Sequence, residues 1–388
     1  MKTQRLFDES SRTCEFEARV LDCRAREDGA FDLILDKTAF FPNEGGQACD
    51  EGVLNGVSVL GVDEVDGVIV HRVAEGFFAI GDTVQGKLSW EPRFRKMQNH
   101  TGEHIISGLI YREFGYNNVG FHLGCDDVTA DFDGELSEDD IRRIERLANE
   151  VVFACRRVTT RYPDEEELED MQYRSKLELT DGVRIVEIEG VDKCACCAPH
   201  VENTGEVGLI KVLDFIRYKG GVRIHMQCGL DALDDYNERY AQMRRVSMAI
   251  SAKQMEIGEG VDRLLEECGR LRGEISALKR KIMADKLEQI EYTDRSICIF
   301  DDDCDMLAAR NFVNEAVGHT SRICAMFCGN DGDGYKFILA SNTVDLKASM
   351  ATINAAICGR GGGSAKMIQG SCTATRAQIE EFFKNESL

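Results

Sequence analysis

His100-Thr101-Gly102-Glu103-His104 lies inside a segment, Arg93 to Phe114, in which Met97, Thr101, Ile105 and Leu109 recur at helical spacing. Histidines at i and i+4 share one face of a helix, one turn apart, where a single ion can reach both rings. Further along, Cys196-Cys197-Ala198-Pro199-His200 offers a thiolate and a third imidazole. Mixed nitrogen and sulfur ligation suits zinc rather than magnesium or calcium. Each cluster alone is equally at home as core or surface decoration. The chain has only 7 histidines, however, and three of them fall in these two stretches.

Working outward, Pro92 opens the helical segment and Gly115 closes it. Before it, Phe16 to Asp22, Phe31 to Leu35, Val53 to Val62, Val68 to Arg72 and Thr83 to Leu88 are short alternating runs separated by Gly and Asp turns, which predicts a small antiparallel barrel or sandwich. After it come a strand near Val128 to Phe132, a helix capped by Ser137 with Asp140 at its third position, and a strand Val183 to Glu189. Cys196 and His200 are expected on the loop just after that strand. Gly208 to Val212 and Val222 to Gln227 read as further strands.

From Asp231 to Ile290 the composition becomes charged and helical. Val261, Leu264, Cys268, Leu271, Ile275, Leu278 and Ile282 alternate spacings of three and four, the seam of a coiled coil or helical hairpin, with Gly258 and Gly260 expected at the turn between two helices. Such a segment serves as a dimerisation stalk, an arm toward RNA or a spacer. The remainder alternates strand and helix and ends in Gly359-Arg360-Gly361-Gly362-Gly363-Ser364. Glycines exposing amides can cradle phosphate, and Arg360 and Lys366 stand beside them. A glycine-rich turn explains the same run more simply.

Composition narrows the class. The 388 residues are 43% hydrophobic, enough for the cores of two or three domains. Nothing near Met1 resembles a leader, no apolar run approaches membrane-spanning length, and sixteen scattered cysteines read as reduced thiols, so a cytoplasmic location is expected. The balance of 47 basic against 69 acidic residues leaves a net charge of −22, which opposes nucleic-acid binding except on a local basic face. Candidate faces are Arg93, Arg95 and Lys96; Arg156, Arg157 and Arg161; and Lys211, Arg217, Lys219 and Arg223.

Several motifs, in order along nearly the whole chain, resemble the AlaX family of free-standing alanyl-tRNA editing proteins. Thr38 to Gln47, followed by Asp50 and Gly52, is similar to the family's Thr-x-Phe-Tyr-Pro-x-x-Gly-Gly-Gln loop. His100 to His104 matches its His-x-x-x-His, and Gly120-Phe121-His122-Leu123-Gly124 resembles the segment entering the active site. Val183 to His200, continuing through Thr204-Gly205-Glu206, resembles its Cys-Gly-Gly-Thr-His-Val region, and Gly359 to Gly370 the glycine-rich C-terminal domain of alanyl-tRNA synthetase. Departures are Phe41 where the family has Tyr, and Cys197-Ala198-Pro199 where it has Gly-Gly-Thr.

The resemblance implies an α+β protein of the long AlaX form. Its parts would be a β-barrel at 1–90, a zinc editing domain of the threonyl/alanyl-tRNA synthetase type at 91–230, a helical hairpin or coiled coil at 231–290, and a small α/β domain with a glycine-rich loop at 291–388. It implies one Zn²⁺ per chain on His100, His104, Cys196 and His200. It also implies hydrolysis of the ester joining a wrongly attached serine or glycine to alanine tRNA, without ATP. A pocket chosen for alanine rejects those two weakly, so a second hydrolytic site is needed. About ninety β-rich residues precede the editing domain, too few for an ATP-using catalytic domain, so action in trans is expected. Thr38 is the candidate contact for a serine hydroxyl, Gly45, Gly46, Gln47 and His122 further substrate contacts, and Glu103 the general base, or else a surface glutamate. Arg360 and Lys366 are candidates for tRNA, and a homodimer through residues 231–290 or the C-terminal domain is expected.

Rival readings use the same residues. His100-x-x-Glu103-His104 also satisfies the His-x-x-Glu-His pattern of inverted zinc peptidases, whose third ligand would be a downstream carboxylate. A phosphodiesterase would need an Asp-His-His triplet, which the sequence lacks. A zinc-stabilised RNA-binding protein is the non-enzymatic option.

Overall fold

A computed structural model describes residues 2–76, 78–124, 128–175 and 182–385. The chain divides into two compact units, Met1–Arg244 and Arg245–Leu388. Both mix helices with sheets.

The first unit begins with six strands, Glu15–Ala25, Phe31–Leu35, Gly52–Leu54, Val57–Val65, Val68–Val73 and Thr83–Leu88. Their hydrogen-bonded order closes on itself: Glu15–Ala25 pairs with Phe31–Leu35 on one side and with Thr83–Leu88 on the other. Alternation of buried and outward-facing residues drives the closure. In Thr83–Leu88 every second residue is buried, and Phe16, Ala18, Val20, Leu33, Leu35, Val62, Ile69 and Val84 fill the interior. The single strand expected over Val53–Val62 is in fact a hairpin. Asn55 (φ 50°) and Gly56 (φ 83°) form its two-residue turn, and an Asn-Gly pair adopts that left-handed geometry more readily than other residues.

Helix Trp90–Phe114 follows, with Ser89 at its N-cap, Pro92 in its first turn and Gly115 at φ 74° closing it. Its middle is buried on nearly every face. Ile105, Ile106, Leu109 and Ile110 share a core with Val128, Ala130, Ile224 and Met226 of a four-stranded sheet and with Ile141, Ile144 and Ala148 of helix Glu138–Phe153. The latter begins with the expected capping box, Ser137 with Asp140. A three-stranded antiparallel sheet joins Val158–Arg161, Ile185–Ile188 and Asp192–Ala195. Cys196 and His200 therefore leave the strand Asp192–Ala195, one strand later than sequence spacing suggested.

In the second unit the expected seam lies on one helix, Ile257–Glu288. Gly258 and Gly260 belong to its first turn; the break between the two helices comes earlier, at residues 250–256. The seam is exposed in this unit: Leu264 is 50% and Leu278 61% accessible. A five-stranded sheet follows in the order Ile297–Asp301, Ile323–Asn330, Gly334–Ser341, Met367–Cys372, Gly359–Gly363. The glycine run is thus neither a phosphate loop nor a turn but an edge strand. Gly361 stays bare because a β-carbon would stand 2.7 Å from Gln369 O and 2.8 Å from the Phe337 ring. Arg360 and Lys366 are exposed, Arg360 on that strand. Among the described residues, no helix is long and apolar enough to cross a membrane.

Candidate active site

Three imidazoles meet where the long helix faces the Cys196–His200 loop. Ring centroids of His100 and His104 are 5.4 Å apart, and His200 lies 4.9 Å from the first and 4.7 Å from the second. Each ring is held from behind at Nδ1: His100 by Gln47 Oε1 at 2.8 Å, His104 by Asp192 Oδ2 at 3.0 Å, His200 by Thr101 Oγ1 at 3.0 Å. Gln47 Oε1 and the Asp192 carboxylate only accept, so the proton sits on Nδ1 of His100 and His104 and the Nε2 lone pairs point inward. Cys196 Sγ completes the group, 3.5 Å from His100 Nε2 and 3.4 Å from His200 Nε2.

These four side chains could hold a metal ion: their ligand atoms all lie within 4.8 Å of one another. A tetrahedral ion with metal–sulfur and metal–nitrogen bonds of ~2.3 and ~2.0 Å separates S from N by ~3.5 Å, the spacing observed. The charge state agrees. Burial alone would raise the Cys196 thiol, but the His100 charge and bonds from all three imidazoles hold it well below its ordinary value. Burial pushes His200 down to about 3, leaving it neutral. Burial would also lower His104, yet Asp192 and then Cys196 raise it well above the usual imidazole range. A thiol held toward its thiolate form among three imidazoles is a donor set that a divalent cation can enter by displacing protons.

The supporting groups were not legible as a site in the sequence. Asp192 is 2% exposed at its side chain and receives two bonds from Arg174, Nε to Oδ1 at 2.7 Å and Nη2 to Oδ2 at 2.8 Å. Burial would raise its pKa, but His104 and Arg174 bring it down to about 2. His104, Asp192 and Cys194 form a second cluster of metal-ligating types. It is a poor ligand set, because both Asp192 oxygens are engaged and burial pushes the Cys194 thiol up to about 11.

Glu103 is buried rather than on the surface, at 1% exposure. Its Oε1 accepts from Ser107 Oγ and Asn118 Nδ2, while Oε2 lies 4.0 Å from His104 Nε2. With His100, His104 and Cys196 it lines a cavity of about 350 Å³ that Arg5, Glu44, Gly45, Tyr162, Arg184 and Cys197 also border. Volumes of about 300–1,000 Å³ are usual for small-ligand sites.

The 38–50 loop reaches this cavity through Glu44 and Gly45. Arg93 anchors it: a guanidinium buried to 1% donates Nε to Asp50 Oδ1 at 2.9 Å and Nη2 to Ala39 O at 2.7 Å. Gly46, at φ 83°, lies so close to the strand Asn118–Leu123 that a β-carbon would stand 2.5 Å from Phe121 O. Leu123 N donates to Gly46 O at 2.8 Å, and this seating brings Gln47 to His100.

Two expected contacts are placed elsewhere. Thr38 is fully buried, bonded to His71 Nε2 at 2.8 Å and Phe40 N at 3.1 Å, away from the cavity lining. His122 is exposed, whereas its neighbour Phe121 packs its ring 4.7 Å from that of His100. Gln47 lies behind His100 rather than on the cavity wall. Of the basic clusters, Arg93 is consumed by Asp50, Arg95 by Asp231 and Asp234, and Arg223 by Asp131.

Residues 183–247, which carry Cys196 and His200, match the family model described as the threonyl and alanyl tRNA synthetase second additional domain. The alanine–tRNA ligase of Pyrococcus abyssi is 31% identical over 94% of this chain and 41% of its own length. That of Methanococcus maripaludis C5 is 29% identical over 98% of the chain and 43% of the ligase. The chain is an AlaX-like relative of the alanine–tRNA ligases. The ligase of Halobacterium salinarum is 33% identical over 69% of the chain and 30% of its own length. The chain therefore spans less than half the length of these relatives.

Proposed function

We propose that the chain is an aminoacyl-tRNA deacylase acting in trans, without ATP, on alanine tRNA wrongly charged with serine or glycine. The observation that carries the reading is a buried carboxylate beside a His₃Cys cluster, both lining one cavity, in a chain similar to alanine–tRNA ligases over most of its length. His100, His104, Cys196 and His200 would hold one Zn²⁺. When bound, it would supply a positive field that polarises a nearby carbonyl oxygen. Four protein ligands make a closed shell, so the chemistry falls to residues around it.

In this reading Glu103 Oε2 takes a proton from water as that water attacks the ester carbonyl carbon. Ser107 and Asn118, both bonded to Oε1, keep the other oxygen turned toward the cavity. The proton then passes to the departing ribose oxygen, and the free amino acid and intact tRNA leave. Phe121 and the 38–50 loop would form the wall against the terminal nucleoside, with Gly45 and Gly46 permitting close approach. Gln47 and Thr38 would act by positioning, the first through His100 and the second through the loop. A peptidase of the His-x-x-Glu-His type is disfavoured because the positions beyond the histidine pair are filled by a thiolate and an imidazole.

The same reading divides the chain into parts at 1–90, 91–230, 231–290 and 291–388, the first a closed β-barrel, and gives it a cytoplasmic location, a substrate contact at His122, tRNA contacts at Arg360 and Lys366, and a homodimer through the exposed seam of residues 231–290 or the C-terminal domain. The test compares release of serine, glycine and alanine from alanine tRNA, with His104→Ala as control. Release of serine or glycine while alanine is spared is expected. Release of none by the wild-type protein defeats the reading.

A further inference from the structure

Glu44 stands in the tight turn Glu44-Gly45-Gly46-Gln47, where its N–H and C=O pair with Gln47 at 3.2 and 3.0 Å. The turn leans on the Cys196–His200 loop: a β-carbon at Gly45 would stand 3.4 Å from Cys197 Sγ. The Glu44 carboxylate borders the same cavity as Glu103 and Cys196. Cys197 borders that cavity as well. Oε2 of the Glu44 carboxylate is buried with no hydrogen-bond partner among the described residues.

Burial raises the Glu44 carboxyl, and a buried carboxylate oxygen without a donor is costly; a cation entering the cavity would relieve that cost. Arg5 is the nearby cation, but its guanidinium already grips Glu64, with Nη2 to Oε2 at 2.6 Å. An aminoacyl ester brings the missing group: next to the carbonyl that must be attacked, it carries an ammonium. An ester whose nitrogen has been acylated lacks that charge.

We propose that Glu44 is a specificity-determining residue that accepts the α-ammonium of the bound aminoacyl ester, so that the site selects free aminoacyl esters over N-acylated ones. The assignment rests on the deacylase reading above. It orients the substrate, with the ammonium at the Glu44 turn and the carbonyl toward Glu103 and the cluster. It also spares peptidyl-tRNA, whose ester nitrogen is an amide.

The test measures kcat/KM on seryl-tRNA and N-acetyl-seryl-tRNA for alanine with the wild type, Glu44→Gln and Glu44→Asp. The ratio of the two values within each enzyme is independent of how much of that enzyme is folded. The wild type is expected to prefer the free amine by about tenfold to a hundredfold, the scale of one charge-assisted hydrogen bond. Glu44→Gln should bring the ratio close to unity, chiefly through KM, and Glu44→Asp should keep part of it. A wild-type ratio of unity, or a Glu44→Gln ratio equal to the wild type's, overturns the assignment and leaves the deacylase reading intact. Hydrolysis of neither ester by the wild type overturns both.

Discussion

Replacing Asp192 by Asn separates two jobs that one carboxylate performs. Asparagine keeps the shape and leaves an oxygen for His104 Nδ1, but it removes the negative charge that Arg174 grips in the interior, where the two side chains are 12% and 2% exposed. A buried guanidinium left without its counter-ion should cost about 3 kcal/mol. For a unit the size of Met1–Arg244 that is a fall of about 6–12 °C in Tm. Loss of the anion behind His104 should also weaken zinc binding by about tenfold to a hundredfold. Adding Arg174→Met to Asp192→Asn removes the stranded charge. The pair should then recover most of the lost Tm while zinc binding stays weak. Competition with a chromophoric chelator and thermal unfolding of the metal-free protein read the two effects separately. A single Asp192→Asn variant with wild-type zinc affinity and wild-type Tm would refute the reasoning, as would a double variant that regains affinity along with stability.

Three further outcomes are expected. Glu103→Gln should lower kcat for seryl-tRNA hydrolysis by about 10²–10⁴-fold with bound zinc unchanged, since the residue is not a ligand; equal activity, or zinc loss measured by metal analysis, removes Glu103 as the base. Burial pushes His71 down to about 4, so the folded state binds fewer protons than the unfolded state between that value and the ordinary 6.5. Stability is therefore fully present above pH ~6.5 and falls by about 3 kcal/mol as pH drops to ~4, and His71→Gln should flatten that part of the urea-unfolding profile. Gly46→Ala, strained at φ 83° and 2.5 Å from a backbone carbonyl, should destabilise the loop by about 1–3 kcal/mol and raise KM more than it changes zinc content; an unchanged KM would mean that the loop does not meet the substrate.

What the sequence reveals and what it hides have separate physical causes. The histidine helix was readable because its period, Pro92 and Gly115 are local signals, and the short-spaced Cys196 and His200 because ligand chemistry narrows the choice. Asp192, Arg174 and Thr101 were not, since each is an ordinary residue until tertiary folding brings it behind a ring. The Asp192–Ala195 strand escaped notice because four residues, Asp-Lys-Cys-Ala, carry no β-branched or aromatic signal. Gly359–Gly363 was misread for the opposite reason: glycine has no strand preference, and here close approach of neighbouring strands selects it. Thr38 and His122 were assigned by position in a motif, which says nothing about which way a side chain turns.

The braces behind the three imidazoles come from Gln47, Thr101 and Asp192, while the sulfur lies 96 positions after His100. During synthesis the histidine pair and two of the braces thus emerge long before Cys196, and the thiol meets its companions only once the strand ending at Ala195 has been laid down. Ion capture would then be a late event that reports finished assembly, and chains stalled before that point would carry an open pair of rings with weak hold on any metal.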